Sequence, residues 1–200
     1  MTYALIYGLT LFALVSSITP GPNNLMLLAS GANFGVRRTV PHAAGVVLGF
    51  TFMIIVVGLG VAQAFQTFPW LHQVLTVVSI VYLLYLAYKI GSATPVLDNP
   101  EDAGTPITFW QAVAFQWVNP KAWTMSITAV TLYTPQPSTA LHVIIVAVIF
   151  GAINLPCITC WMAMGVQMRR FFTTRNRLRV FNWTMAVLLV ASILPALLFG

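Results

Sequence analysis

"ITPGPNNLMLLASG", residues Ile18 to Gly31, places two prolines, a glycine and two asparagines inside one of the longest charge-free runs of a 200-residue chain. Proline inside a helix removes a backbone donor and clashes with the preceding turn. Such a turn needs a reason wherever the surrounding sequence reads as membrane helix, and the surrounding sequence does. Hydrophobic residues make up 59% of the chain and charged residues 6%, far from the roughly 25% charged of an ordinary soluble domain. Charge-free runs cover Met1 to Val36, Thr39 to Tyr88, Ala122 to Met168 and Val180 to Gly200, each long enough to cross a bilayer core of about 20 helical residues. The chain therefore reads as an all-α polytopic membrane protein.

Apolar runs set against proline, glycine and charge predict six spans, at about 3–19, 41–64, 71–90, 109–132, 140–166 and 180–199. Arg37 and Arg38, Lys89, and the group Arg169, Arg170, Arg175, Arg177 and Arg179 then fall on one side. The Lys/Arg bias makes that side cytoplasmic and places both termini outside. The start reads as a retained helix rather than a signal peptide, since no basic residue precedes it and no cleavage site follows. The excess of basic residues is explained by this bias, with no call for a nucleic-acid partner. All three acids, Asp98, Glu101 and Asp102, lie in a Pro/Gly-rich linker at 91–108, which separates halves at about 1–90 and 109–200 of a single membrane domain.

At an offset of 100 residues "SSITP" lies over "QWVNP", so Thr19-Pro20 matches Asn119-Pro120. His42 and Phe50 pair with His142 and Phe150 in the same register. Three spans is an odd number, so a duplicated half inserts upside down. Inverted repeats with helices interrupted at corresponding positions point to the binding site of a secondary transporter.

Backbone freed by a break survives at membrane depth only when buried in protein or facing a wet cavity. The residues of each break read as a stop and restart. Thr19 is expected to cap the next helix with Pro20 at its first position, and Asn119 with Pro120 repeats that order. Each restart presents a helix N-terminus, the positive end of its dipole, which suits a carboxylate. Asn23, Asn24 and Asn119 offer amide oxygens to an amino group. The apolar run Leu25 to Phe34 is short enough for a re-entrant or tilted half-helix. Lys121 follows the second break, and an ionised lysine at membrane depth marks a pathway; the competing roles are a proline kink that only shapes packing and a lysine that snorkels to the interface. Asn154 and Pro156 interrupt span five, where Asn154 either lines the path or bonds across helices. "GVVLG", Gly45 to Gly49, is a close-packing GxxxG. Tyr3, Trp70 and Trp110 are interfacial anchors. No nucleophile, base and acid set, phosphate loop or metal-ligand cluster is present, so the chain reads as a non-enzyme without cofactor.

These motifs resemble the LysE/RhtB amino-acid exporter superfamily: "TPGPNN" closing the first span, "GVRR" after it, "YLLYLAYKI" (Tyr82 to Ile90) and "FQWVNPKAW" (Phe115 to Trp123), in order along nearly the whole chain. The resemblance implies a bacterial inner-membrane protein that exports amino acids or their derivatives using the ion gradient. It puts Pro20, Gly21, Pro22, Asn119, Pro120 and Lys121 on the matching motif positions. Many relatives carry Asp after "TPGP" where this chain has Asn23. The cysteine and O-acetylserine branch also reads "TPGPNN", which favours a small neutral amino acid. The expected substrate site is Thr19, Pro20, Gly21, Pro22, Asn23, Asn24, Asn119, Pro120, Lys121 and Asn154. With no acid in any span, a coupling proton would fall to His42, His72, His142 or Lys121. A homo-oligomer is compatible with the pattern. Two other readings compete: a thiol-disulfide electron carrier using the CxxC of Cys157 and Cys160, and a membrane scaffold that transports nothing.

Overall fold

The computed structural model describes residues 1–61, 70–94, 96 and 104–192. The imidazole of His72, the acids Asp98, Glu101 and Asp102 and the end of the last expected span lie outside the described residues. Every regular element described is helical: α1 (Tyr3–Ile18), α2 (Pro22–Val56), a π-turn (Val57–Val61), α3 (Trp70–Gly91), α4 (Phe109–Val118), α5 (Pro120–Tyr133), α6 (Ala140–Arg169) and α7 (Arg175–Ala191). Three stretches, Pro22–Gly60, Gln73–Gly91 and Ala140–Arg169, are long and apolar enough to cross a membrane unaided. α1, α4 and α5 are shorter because the breaks cut them.

α2 is two helices. Gly35 sits at φ 73°, ψ 179°, a region that side-chain-bearing residues avoid. It separates residues 22–34 (α2a) from residues 36–56 (α2b), so the second expected span starts earlier than 41. The break at 19–21 divides α1 from α2a, and the break at Asn119 divides α4 from α5. α1 and α4 end at Ile18 and Val118, and α3 and α7 end at Gly91 and Ala191, each pair one hundred residues apart. α7 begins five residues before the expected 180, because the Thr174 hydroxyl accepts from the Arg177 amide at 3.3 Å and starts the helix there. Arg175, Arg177 and Arg179 thus ride on its first turns instead of forming a loop.

The packing depends on close backbone approach. α2 lies most extensively along α6, where a methyl added at Gly31 would overlap the Met162 carbonyl and one at Gly165 the Leu28 carbonyl. The GxxxG packs α2b onto α4: a Cβ at Gly49 would stand 2.9 Å from the Val113 Cα, and one at Gly45 would overlap the Phe109 carbonyl. Two apolar clusters result. One joins α2a, α3, α4 and α7 through Met26, Leu86, Phe115 and Leu189. The other joins α1, α2b, α5 and α6 through Leu9, Met53, Ala129 and Phe150. Large apolar side chains such as Val15, Phe52, Val81, Leu132, Val148 and Val187 are exposed on the outside, which lipid accounts for and water would not.

The basic residues converge on one end. Arg38 donates to the Gly104 carbonyl, Arg169 to the carbonyls of Asn33 (3.0 Å) and Val96 (3.1 Å), and Lys89 to that of Pro106 (2.9 Å).

Candidate functional site

The carbonyls exposed by the first break have partners, and all of those partners are side chains. Asn24 donates to Ser17 O (2.8 Å) and Thr19 O (2.9 Å). Trp161 of α6 donates to Ile18 O at 3.0 Å. Lys121 donates to Thr19 O at 2.7 Å and to Pro20 O at 3.4 Å. The four consecutive carbonyls from Ser17 to Pro20, at and just past the end of α1, therefore all have side-chain donors, although Ile18, Thr19 and Pro20 are exposed on the outside of the protein. The ammonium also sits at the negative end of α1, where the helix dipole favours a cation.

The first restart differs from the expected one. The hydroxyl of Thr19 turns back to Val15 O at 2.5 Å and closes α1. Gly21 is the N-cap of α2a, and Pro22, not Pro20, takes the first helical position. A threonine cap fails here because its carbonyl is already the acceptor for Asn24 and Lys121. No side chain caps α2a; Pro22 has no N–H, so the amides of Asn23 and Asn24 are its leading donors. Gly21 leaves room for the lysine: a Cβ there would lie 2.8 Å from Lys121 Cδ and 3.0 Å from Nζ.

The second break follows the expected order. Asn119 caps α5 by accepting from the Lys121 amide at 3.1 Å, with Pro120 next. Trp123 donates its indole N–H to Trp117 O at 2.8 Å, the same service that Trp161 performs for Ile18. Asn23 and Gln116 exchange amide hydrogen bonds at 2.9 and 3.2 Å, which ties α2a to α4 directly beside the breaks.

Between the two breaks lies a narrow cleft bounded by Gly21, Asn23, Asn24, Asn119, Lys121 and Asn154, with Phe50, Met125 and Ile158 as its apolar wall. Six of the ten expected site residues thus meet in one place. Thr19, Pro20, Pro22 and Pro120 shape the backbone around it without lining it. Asn154 lies on α6 and is buried, and its amide has no partner among the described residues. Ser17 also lines the cleft, with its buried hydroxyl unpartnered. Neither Ser17 nor Gln116 stood out in the sequence. Both sit one turn or less before a break, and that position was the available signal.

The chain's only carboxylic side chains lie at 98–102, so no carboxylate faces Lys121 among the described residues. His42 is fully buried in α2b with both ring nitrogens unpartnered. His142 is partly buried, with Nδ1 unpartnered. Cys157 and Cys160 are free thiols; the first is buried and the second exposed, so they face different surroundings. No group of three or more His, Cys, Asp or Glu that could hold a metal occurs among the described residues.

Residues 14–193 match the family described as LysE type translocator. The chain is 31% identical over 192 residues to a cysteine/O-acetylserine efflux protein of Escherichia coli (strain K12), covering 95% of this chain and 96% of the relative. A protein of the same description from Shigella sonnei matches equally well. One from Klebsiella pneumoniae is 29% identical over 191 residues, covering 95% of both chains. No solved structure matches.

Proposed function

We propose that this chain, which belongs to the LysE type translocator family, exports a small neutral amino acid or derivative across the bacterial inner membrane by secondary-active transport. One observation carries this reading: the two broken helices meet at Lys121, beside a cleft rich in amide groups and, among the described residues, without a carboxylate. The substrate carboxylate docks against the open amides of Asn23 and Asn24 and the Lys121 ammonium, where a helix N-terminus and a cation both favour an anion. Its amino group is received by the amide oxygen of Asn154 and the hydroxyl of Ser17. Phe50, Met125 and Ile158 meet a short uncharged side chain, and no acid among the described residues lines the cleft to balance a basic one. The relatives' description as cysteine/O-acetylserine efflux proteins supports a substrate of that size.

The basic end of the bundle is the cytoplasmic one by the Lys/Arg bias, and both termini then lie outside. α2a spans about 20 Å at 1.5 Å per residue, which puts the cleft well inside a core of about 30 Å. The matched ends of α1 with α4 and of α3 with α7 support two repeats of opposite orientation, whose rocking about Lys121 exposes the cleft to either side. Of the titratable groups proposed for a coupling proton, Lys121 borders the cleft, and His42 lies sealed in α2b. The redox reading of Cys157 and Cys160 has no support from the family or from their unequal exposure.

The test is efflux from proteoliposomes loaded with single amino acids. Release of O-acetylserine, cysteine or a similarly small neutral amino acid, driven by an imposed ion gradient, is expected. Release of none of them, or of basic amino acids alone, overturns the reading.

A further inference from the structure

The chain has two lysines, and each lines a cleft. A second, narrow cleft lies at the basic end between α2a, the end of α3 and the stretch of chain entering α4; Ser30, Asn33, Lys89 and Thr105 are its polar lining. Lys89 donates to Pro106 O at 2.9 Å and to Gln111 Oε1 at 3.0 Å. Both acceptors are neutral, and an ammonium has three donors. No carboxylate among the described residues balances this partly buried charge. The Thr39 hydroxyl donates its one proton to Gly35 O at 2.7 Å, so the Ser30 hydroxyl has only the Thr39 oxygen, 3.5 Å away, to donate to among the described residues. Asn33, by contrast, is committed to Asn182 in a reciprocal pair at 2.6 and 2.9 Å, so it serves as wall rather than ligand.

α2a forms one side of both clefts. Gly21, Asn23 and Asn24 face the first, while Met26, Ala29, Ser30 and Asn33 face the second. Ten residues of helix separate Asn23 from Asn33, a path of about 15 Å. A cation with an unfilled donor, a hydroxyl whose proton has only a 3.5 Å acceptor to give up and a cleft at the basic end together suit a carboxylate. We propose that the Lys89 cleft is a loading site, where Lys89 and Ser30 take the carboxylate of the amino acid before it passes along α2a to Lys121. This site rests on the export reading for its ligand.

Two measurements test it. In purified protein, acylation of Lys89 by an amine-reactive reagent is followed by mass spectrometry, with the Met1 amine as reference. N,N-dimethylglycine, which has a carboxylate and no acylatable amine, slows Lys89 acylation roughly tenfold when well above its dissociation constant, by mass action. Its amide, which lacks the carboxylate, does not. In proteoliposomes, Lys89→Gln raises the half-saturating O-acetylserine concentration at the basic face by roughly tenfold, the loss of one charge-assisted hydrogen bond. The maximal rate and the half-saturation at the opposite face are kept, and Lys89→Arg restores the wild-type value. Unchanged acylation with the probe, together with unchanged basic-face saturation in Lys89→Gln, overturns the loading site while leaving export intact. If the wild-type protein moves no amino acid, the export reading fails, and the acylation result alone decides whether Lys89 binds a carboxylate.

Discussion

The ammonium of Lys121 lies 2.7 Å from the carbonyl oxygen of Thr19, a contact that spans 102 residues of sequence. It joins the two helix breaks into one structure. The end of α1 receives its counter-charge from the start of α5, and the cleft between them has a cation at its edge. Lys121→Met removes that charge, leaves the Pro20 carbonyl without its donor and leaves Asn24 as the one side-chain donor to Thr19 O among the described residues. The expected result is loss of amino-acid efflux in correctly inserted protein, with destabilisation of about 1–3 kcal/mol. Efflux and thermal unfolding in detergent measure the two effects. Lys121→Arg is expected to recover stability more than transport, because a planar guanidinium does not fit the space shaped for an ammonium.

Gly21→Ala is expected to act through Lys121. Its methyl would stand 2.8 Å from Lys121 Cδ, so the lysine must swing away from the cleft. Efflux should fall by roughly tenfold or more, a displacement of about 1 Å being enough for such an effect. Protein abundance should stay near the wild-type level. The readout is the efflux rate divided by the amount of inserted protein.

The pair Asn33 and Asn182 links α2a to α7 through two buried hydrogen bonds. Asn182→Leu leaves the Asn33 amide oxygen without its donor, while the Asn33 NH2 keeps Ala29 O, and is expected to cost about 1–3 kcal/mol. The double variant Asn33→Leu/Asn182→Leu is expected to recover part of that loss, since two apolar groups leave no orphan. A double-mutant cycle on detergent unfolding measures the coupling.

Gly165→Val is expected to prevent correct assembly. The added side chain would overlap the Leu28 carbonyl, where α2a and α6 touch backbone to backbone. Overpacking of this kind typically costs about 1–3 kcal/mol and often more when no flexible atom can yield. Monodispersity on size-exclusion chromatography is the check.

Cys157→Ser/Cys160→Ser is expected to leave efflux unchanged, because one thiol is buried and the other exposed. Loss of efflux in this variant, with normal insertion, would revive a redox role.

Much of the fold was legible from proline, glycine and charge. The breaks at Pro20 and Asn119, the asparagine cap, the close packing of Gly45 and Gly49 and the clustering of arginines all follow from local chemistry. The first restart was not legible. Thr19-Pro20 and Gly21-Pro22 are both acceptable cap-and-proline pairs, and the choice between them depends on Asn24 and Lys121 claiming the Thr19 carbonyl. The division of α2 was half legible: the short run Leu25 to Phe34 suggested a half-helix, but the hinge itself did not show, since a glycine inside a helical run reveals its need only as a positive φ, as at Gly35. The unpartnered hydroxyl of Ser17 and the Asn23 pairing with Gln116 are tertiary facts. Their residue types are ordinary in membrane helices, and only the meeting of distant segments singles them out.

The central claim is that the substrate occupies the cleft between the two breaks. Ser17→Cys, built in the Cys157→Ser/Cys160→Ser protein, puts a single thiol on that cleft. The measurement is its rate of alkylation by a small neutral thiol reagent in proteoliposomes, with and without O-acetylserine. The account predicts that O-acetylserine slows alkylation and that the alkylated protein no longer transports. Alkylation at the same rate with and without O-acetylserine, followed by normal transport, would contradict it.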